Sequence, residues 1–313
     1  MTQLLASGNW GVSPQYYIQN DVVCEHKLLC MEISEDASLC RNAKYNSITR
    51  VSIELTLQKK SKKHMNISKI NYQSFLGKLL RLPLRLIPKS MVLPILQGRL
   101  RGKKWVVGAG EHGYWLGSYE LEKRKAFERF IKPGSVVYDV GANVGYFSLL
   151  ASVLVGPEGH VAAFEPLPRN ISYLRKHVAL NKLTNIVVIE AAVSDHAGEA
   201  FFNLGASTAM GHLAESGEIS VSLVSLDQLL EDRAIQPPDY MKIDVEGAEY
   251  DVLCGARRLL KAHHPLLFLD THNRQAHNLT IAYLDTLGYQ YEVLDGKPLQ
   301  ESKELIAYVE RPQ

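Results

Sequence analysis

Residues 136–150 have the sequence VVYDVGANVGYFSLL, and this stretch decides the fold. Val136–Val140 is a short apolar run, interrupted by Asp139, of the kind that forms a strand buried on both faces. Three turn residues follow at alternate positions: Gly141, Asn143 and Gly145. The next apolar run, Tyr146–Val155, is long enough for a helix. A strand, a tight turn and a helix start together predict a nucleotide-type site in an α/β protein.

The spacing of the turn separates two kinds of nucleotide site. A dinucleotide-binding turn has the pattern G-x-G-x-x-G. This turn has G-x-N-x-G, with Asp139 two positions before the first glycine. A second acid, Glu165, ends the apolar run His160–Phe164 and lies 20 residues after Gly145. A carboxylate at the tip of the second strand can accept hydrogen bonds from both ribose hydroxyls, so we expect Glu165 to bind a ribose. A βα turn without a ligand is the alternative.

The composition excludes several classes of protein. The 313 residues include 35 Lys and Arg against 33 Asp and Glu, and a net charge of +2 predicts no binding of nucleic acid. The four cysteines lack the C-x-x-C spacing of zinc and redox sites. We find neither a secretory leader nor an apolar run of 18 residues, so we expect a cytoplasmic protein. The sequence does not indicate an oligomeric state.

The N-terminal third divides into two predicted segments. Residues 1–64 lack periodicity and predict a poorly structured extension, or an over-long reading frame whose natural start is Met65. Residues 65–118 predict a basic, apolar cap, since the chain from Leu55 to Gly110 contains thirteen Lys or Arg and no acid. We expect this cap to pack on the main domain with a solvated basic side. Peripheral contact of residues 65–104 with an anionic membrane or a lipid-linked glycan is the alternative.

The rest of the chain alternates strands and helices, which predicts a mainly parallel sheet covered on both faces. The last two strands, 289–294 and 305–309, are close in sequence and indicate an antiparallel edge. We also expect a loop or hairpin over 106–120 and a flexible lid over 205–217. Two of the predicted helices span 248–261 and 279–287.

Four segments together resemble the FkbM family of S-adenosylmethionine (SAM)-dependent methyltransferases: YDVGANVGYFSLLA, AFEP, EAAVSD and MKIDVEGAEYDVLCGA. The resemblance covers roughly residues 119–309 and implies an FkbM-type domain over 119–313. It implies the class I methyltransferase fold, a Rossmann-like three-layer α/β sandwich whose seven-stranded, mainly parallel sheet has an antiparallel edge strand. It also implies transfer of a methyl group from SAM to a hydroxyl oxygen of a sugar, glycan or secondary metabolite.

The family motifs imply roles for individual residues. The methionine part of SAM is assigned to Asp139, Gly141, Asn143 and Gly145, the ribose to Glu165, and the vicinity of the adenine to Ala192 and Val193. Glu120 lies just ahead of the first strand, where we expect it to meet the ammonium of the bound amino-acid moiety. One departure concerns strand five, where relatives often have Glu-x-His and this chain has Asp270-Thr271-His272.

Asp244 and His272 are the candidate catalytic residues. Asp244 ends strand four and His272 follows strand five, so both should flank the acceptor hydroxyl at the carboxyl edge of the sheet. The pKa of a histidine suits a general base near neutral pH. Asp244 would orient that imidazole, bind the hydroxyl or contact the SAM amino group. Mg²⁺ bound by Asp244, Asp270 and Asn273 is an alternative, but the spacing of Asp270 and Asn273 argues against it and we predict no metal.

Two other functions compete with methyl transfer. The first is an NAD(P)-linked oxidoreductase, which the G-x-N-x-G spacing disfavours. The second is a non-catalytic module that keeps SAM for structure or docks on membranes. Intact Asp139, Glu165 and Asp244 favour a working enzyme over such a module.

Overall fold

The structure is a computed structural model that describes residues 83–204, 211–214 and 219–310. The predicted extension over 1–64, the hypothetical start at Met65 and the first part of the basic segment, residues 65–82, lie outside the described residues. Within the described ranges, none of the helices combines the length and the apolar character that crossing a membrane requires.

The described residues form thirteen β-strands and eight α-helices. The strands are β1 (Val92–Pro94), β2 (Lys104–Val106), β3 (Val136–Val140), β4 (His160–Phe164), β5 (Ile186–Ile189), β6 (Ala192–Val193), β7 (Gly198–Leu204), β8 (Gly211–Ala214), β9 (Ile219–Val224), β10 (Tyr240–Ile243), β11 (Leu266–Asp270), β12 (Gln290–Val293) and β13 (Glu304–Tyr308). The helices are α1 (His112–Leu116), α2 (Leu121–Phe130), α3 (Tyr146–Val155), α4 (Pro168–Leu180), α5 (Leu226–Glu231), α6 (Glu249–Cys254), α7 (Arg257–His263) and α8 (Arg274–Asp285). Two short 3-10 helices cover Pro83–Leu86 and Val107–Ala109.

Seven strands form the central sheet in the order β12-β13-β11-β10-β3-β4-β5. Strands β11, β10, β3, β4 and β5 pair in parallel, while β13 is antiparallel to both β11 and β12. This is the class I methyltransferase fold, so the predicted fold class is confirmed. The antiparallel strand is β13, one position inside the edge, because the final hairpin folds back so that its second strand pairs with β11.

Alternate residues of β3 pack into two separate hydrophobic cores, one on each face of the central sheet. The fold therefore has three layers, with helices on both sides of the sheet. Val137 packs in a core that includes Phe127 of α2 and most of α3. Tyr138 and Val140 point the other way, into a core formed with α6, α7 and α8. Because side chains alternate across a strand, a run that is apolar at both parities is buried on both faces, as predicted.

A second, four-stranded sheet has the order β6-β9-β7-β8. Its strands β7 and β9 flank the segment that was predicted as a lid, and they pair in antiparallel register. The lid prediction is wrong over Gly211–Ala214, because these residues form β8 and pair with β7. The remaining residues of that segment, 205–210 and 215–217, lie outside the described ranges.

The predicted single helix over 248–261 is in fact two helices, α6 and α7. The break falls at Gly255, whose carbonyl accepts hydrogen bonds from Asp227 N at 2.8 Å and Ser225 Oγ at 3.0 Å. A Cβ on Gly255 would lie 2.0 Å from the carbonyl oxygen of Ser194. Tertiary packing against the loops that flank the second sheet therefore interrupts a sequence with continuous helical character.

Two further boundaries differ from the predictions. The helix predicted over 279–287 begins earlier, at Arg274, because the Asn273 side chain caps it by accepting a hydrogen bond from Ala276 N at 2.8 Å. The segment 106–120, predicted as a loop or hairpin, contains a 3-10 helix and α1. Helix α1 ends at Gly117, which has a left-handed φ of 74°.

The described part of the cap is anchored to α4 through the β1–β2 hairpin. The Asn181 side chain accepts from Lys104 N at 2.7 Å and donates to Lys104 O at 2.9 Å. His177 accepts from Val106 N at 3.1 Å, and its ring stacks on Trp105 with centroids 3.8 Å apart. These contacts place residues 107–120 over the carboxyl edge of the sheet.

Candidate active site

A cavity of about 690 Å³ opens at the carboxyl ends of β3, β4, β10 and β11. Open α/β sheets bind their ligands at this edge. Eight of the ten predicted site residues line it: Glu120, Gly141, Asn143, Glu165, Ala192, Val193, Asp244 and His272. The other two, Asp139 and Gly145, do not reach the cavity wall.

The turn after β3 is held by the protein itself. Asn143 has a left-handed φ of 49°, which Asn adopts more readily than most residues, and its N–H donates to Glu165 Oε2 at 2.8 Å. Gly141 has a φ of 76°, and a Cβ there would lie 1.9 Å from the carbonyl oxygen of Asp244. Glycine at 141 is therefore required by the close approach of the turn to the segment after β10.

Glu165 braces this turn and faces the cavity. Its Oε1 accepts from Leu167 N at 3.0 Å and from Asn170 Nδ2 at 3.2 Å, while Oε2 accepts from Asn143 N. Burial raises the pKa of Glu165, although these three hydrogen bonds oppose that effect. A carboxylate has about four acceptor positions, so the geometry leaves room for about one more hydrogen bond. The expected pair of ribose bonds exceeds this capacity.

Asp139 lies beneath the cavity and contacts it only through a lysine. Its Oδ2 accepts from Ser148 Oγ at 2.6 Å, and its Oδ1 is 3.2 Å from Lys242 Nζ. The same ammonium donates to Gly141 O at 3.0 Å and lies 3.4 Å from Asp244 Oδ2. The direct contact of Asp139 with the methionine part of SAM stays a prediction, and the structure adds Lys242 between them.

Sequence reasoning missed Lys242, although the sequence contained a signal for it. Lys242 interrupts the apolar strand β10, and its register places it opposite Asp139 of β3. A charged residue in a strand buried on both faces needs a counter-charge. The nearby acids raise the pKa of Lys242 against the opposing effect of burial, so its side chain is charged.

Lys123 was also missed. It lies on α2, and its Nζ is 2.5 Å from Glu120 Oε2 and 2.6 Å from Asp270 Oδ2. A Glu and a Lys three residues apart on a helix usually form a solvated pair. The sequence did indicate its burial, because Lys123 lies three and four residues before Ala126 and Phe127 and so on the same face of the helix, and both of these residues are buried.

The two acids at the ends of β10 and β11 have opposite electrostatic settings. Burial opposes the ionisation of Asp244, but Lys242, Lys123 and His272 outweigh it and hold the pKa of Asp244 below its ordinary value. Burial and the neighbouring Asp244 raise the pKa of Asp270 to about 7, although Lys123 opposes them. At neutral pH the site therefore holds one fully ionised acid and one close to its titration point.

His272 is oriented by a buried carboxylate, Glu249, that the sequence analysis did not predict. Its Nδ1 lies 2.7 Å from Oε1 of Glu249, which is fully buried and also accepts from Gly247 N at 2.9 Å. The opposite nitrogen, Nε2, is 3.5 Å from Asp244 Oδ1 and 3.4 Å from Glu246 Oε2. The hydrogen bond to Glu249, helped by Asp244 and Glu246, raises the pKa of His272 although burial opposes it. Asp244 and His272 are thus neighbours, as their strand positions predicted.

Two of the three suggested magnesium ligands are engaged by other groups of the protein. Asn273 Oδ1 caps α8, and Asp270 pairs with Lys123. Among the residues that the structure describes, no group of three His, Cys, Asp or Glu side chains is placed to hold a metal ion. The geometry gives no support to the magnesium alternative.

The chemistry of the cavity fits SAM. The volume lies within the range of small-molecule sites, about 300–1,000 Å³. Aromatic side chains from α1, the loop before α2, and α3 form one wall: Tyr114, Tyr119, Tyr146 and Phe147. Glu120, Glu165 and Asp244 provide carboxylates, which suit a ligand that carries hydroxyl, ammonium and sulfonium groups. Ala192 and Val193 supply an apolar patch beyond Glu165.

Comparison with known proteins gives a consistent result. Residues 139–291 match the family described as Methyltransferase FkbM domain. The 31-O-demethyl-FK506 methyltransferase FkbM of Streptomyces tacrolimicus is 33% identical over 159 residues, which cover 40% of this chain and 60% of that protein. The hexuronic acid methyltransferase AglP of Haloferax volcanii is 28% identical over 129 residues, which cover 41% of this chain and 52% of that protein. The 2-O-methyltransferase NoeI of Sinorhizobium fredii is 28% identical over 149 residues, which cover 41% of this chain and 60% of that protein.

The chain therefore spans less than two thirds of the length of these relatives. The shared part contains the cofactor turn, the acid after β4 and the segment from β10 to α8 that carries Asp244 and His272. The resemblance seen in the sequence is confirmed over residues 139–291, which match the FkbM methyltransferase domain.

Proposed function

We propose that this protein is a SAM-dependent O-methyltransferase whose acceptor is a hydroxyl group of a sugar, glycan or secondary metabolite. The observation that carries the proposal is the His272–Glu249 pair at the cavity, with Nε2 of His272 beside Asp244. The names of the relatives support this acceptor class, because two of them specify methylation at oxygen and one refers to hexuronic acid.

The protein's own residues have three tasks in this reaction. SAM, when bound, supplies an electrophilic methyl group with its own leaving group. The pocket must align that methyl with the acceptor oxygen, and alignment is worth up to about 7–11 kcal/mol in favourable cases. His272 Nε2 accepts the proton of the acceptor hydroxyl, which contributes roughly 10²–10⁴-fold. Glu249 holds the Nδ1–H and stabilises the imidazolium that results.

The cofactor side is assigned to the residues around the turn. Glu165 accepts one ribose hydroxyl, Ala192 and Val193 lie against the adenine, and Glu120 binds the ammonium of the methionine part. In the free protein Glu120 is paired with Lys123. Binding of an ammonium by Glu120 therefore competes with that ion pair, and Lys123 retains Asp270 as its partner.

The test has two arms. Calorimetry with SAM and with NADH separates a methyltransferase from an oxidoreductase, and binding of NADH without SAM would overturn the proposal. Extracts incubated with isotope-labelled methyl-SAM then identify the acceptor by the mass of the labelled product. His272→Gln should bind SAM with unchanged affinity and lose at least 10²-fold in turnover. Wild-type turnover in a variant that binds SAM normally would remove His272 from the base role.

We also propose that the cap contacts anionic membrane surfaces. Four large apolar side chains of the cap are exposed: Leu86, Met91, Val92 and Leu96. Exposed basic residues accompany them, and no acid occurs between Leu55 and Gly110. Apolar side chains beside cationic ones fit the headgroup region of anionic lipid better than they fit water.

Vesicle sedimentation of the full chain tests the membrane proposal. Binding to vesicles with anionic lipid should exceed binding to neutral vesicles and should fall with added salt. Leu96→Gln should weaken it, while Leu279→Gln, at an exposed apolar position outside the cap, is the matched control. Equal binding to neutral and anionic vesicles would leave the cap with a structural role alone.

A further inference from the structure

Lys123 connects the helix that walls the cavity to the ends of two sheet strands. Its side chain is 3% exposed, and it lies within 2.6 Å of carboxylate oxygens of Glu120 and Asp270. Asp244 Oδ2 is 4.0 Å away. Unpaired charges are costly to bury, so these groups depend on one another to remain ionised.

Asp270 is the member of this group that holds its charge least firmly. It ends β11, where Glu304 of β13 lies opposite it in the ladder. The charged and titratable groups around it come from α2, β10, β13 and the two loops that follow β10 and β11: Glu120, Lys123, Lys242, Asp244, His272 and Glu304. Carboxylates outnumber lysines in this set, and Asp270 is also buried. Losing one cation here should therefore protonate Asp270 first.

Lys242 does not duplicate Lys123. The ion pairs of Lys242 are with Asp139 and Asp244, and it also donates to Gly141 O. Lys123 makes the close ion pair with Asp270 at 2.6 Å. Lys123 also comes from α2, outside the sheet, whereas Lys242 belongs to β10. The charge at the end of β11 thus depends on where α2 sits.

We propose that Lys123 is a positioning residue that favours the ionised form of Asp270 beside the ionised Asp244, and so sets the charge of the pocket that receives a sulfonium. Ionised Asp270 adds a negative charge near the cationic cofactor, whereas protonated Asp270 withdraws it. Glu120 shares the same ammonium, so its engagement with the cofactor tightens the Lys123–Asp270 pair. This inference rests on the proposed function for the identity of the cofactor, but the ionisation of Asp270 belongs to the free protein.

The decisive measurement is an infrared titration of carboxyl groups in the full chain without cofactor. The variants are Lys123→Met, Lys123→Arg and Asp270→Asn, all in a His272→Gln background so that the imidazole does not contribute. The protonated-carboxyl band that disappears in Asp270→Asn identifies the group. Lys123→Met should move its midpoint upward by about one pH unit or more, a tenfold or greater gain in proton affinity. Lys123→Arg should keep the original midpoint.

A double variant guards against a folding defect. Lys123→Met with Asp270→Asn replaces the ion pair by neutral groups of similar size and should show the same circular dichroism as the parent. A midpoint unchanged in folded Lys123→Met would overturn the proposal.

SAM affinity provides the functional readout. In the parent, affinity should tighten with pH as Asp270 ionises, and Lys123→Met should shift that rise to higher pH. Asp270→Asn should abolish it. Absence of SAM binding in the wild-type chain would overturn the proposed function, while the infrared titration would still decide the role of Lys123.

Discussion

Replacing Glu165 separates its two predicted roles, bracing the turn and binding the ribose. Three donors converge on the carboxylate: Asn143 N, Leu167 N and Asn170 Nδ2. In Glu165→Gln the amide oxygen can keep the two donors at Oε1, but its NH₂ then faces the N–H of Asn143. Leaving that partly buried donor unpaired should cost about 1 kcal/mol of folding stability, the lower end of the range for a fully buried donor.

The binding loss in Glu165→Gln comes from the remaining acceptor position. Oε2 is the oxygen with capacity for a ribose hydroxyl, and the substitution turns it into a donor. Loss of one hydrogen bond to a charged acceptor is worth roughly 1.5–3 kcal/mol, about 10- to 150-fold in SAM affinity. Urea unfolding gives the stability term, and calorimetry of the folded variant gives the affinity term.

The predicted loss of SAM affinity and the predicted loss of stability can each be contradicted separately. Unchanged SAM affinity in folded Glu165→Gln would remove Glu165 from the cofactor site and leave it as a brace of the turn. Unchanged stability would show that the three hydrogen bonds do not hold the turn. Asn170→Ala is the matched control, because it removes one of the three donors and leaves the carboxylate in place.

Three further outcomes follow from the structure. The Glu249 hydrogen bond raises the pKa of His272, so turnover should rise with pH through a midpoint above 6.5, and Glu249→Gln should move that midpoint down in a pH–rate profile. Burial lowers the pKa of His177 to about 4, so its stabilising contribution is present above pH 6.5 and is lost as pH falls toward 4. The free energy of unfolding in urea should therefore fall between pH 7 and pH 5 by about 2 kcal/mol more in the wild type than in His177→Gln. Gly141→Ala should fail to fold stably by thermal melting, because its Cβ would lie 1.9 Å from Asp244 O, while Gly134→Ala, also at positive φ but in open space, should cost only about 1–2 kcal/mol.

The sequence predicted the elements whose pattern is local. Strand β3, the glycine turn and α3 follow from an apolar run, two glycines and a second apolar run, and the structure confirms their bounds. The errors arise where a residue distant in the sequence, or a side-chain cap, determines the boundary of a helix. Helix α6 ends because Gly255 packs on Ser194, and α8 starts early because a side chain caps it. Neither contact has a signature in the helical period.

The sequence predicted most of the acids of the site, but it missed Glu249 and both lysines, Lys123 and Lys242. Acids at strand ends can be assigned from sequence, because parallel strands bring their carboxyl ends to one edge. The lysines depend on register and on helix rotation, which the sequence specifies only through weak patterns. Lys242 lies opposite Asp139 because β10 pairs with β3 in one register. The apolar stripe of α2 turns Lys123 inward.

This difference changes how a mutation of Asp139 must be interpreted. Asp139 contacts the cavity only through Lys242, so Asp139→Asn would leave that ammonium with Asp244 and Gly141 O as its close partners. A loss of SAM binding in Asp139→Asn would therefore not demonstrate a direct contact with the cofactor. A double-mutant cycle with Lys242→Met resolves the two explanations. If Asp139 acts through Lys242, the two effects should be strongly non-additive, because Lys242→Met removes the charge that Asp139 balances. Additive losses would instead show that Asp139 acts on SAM independently of the lysine.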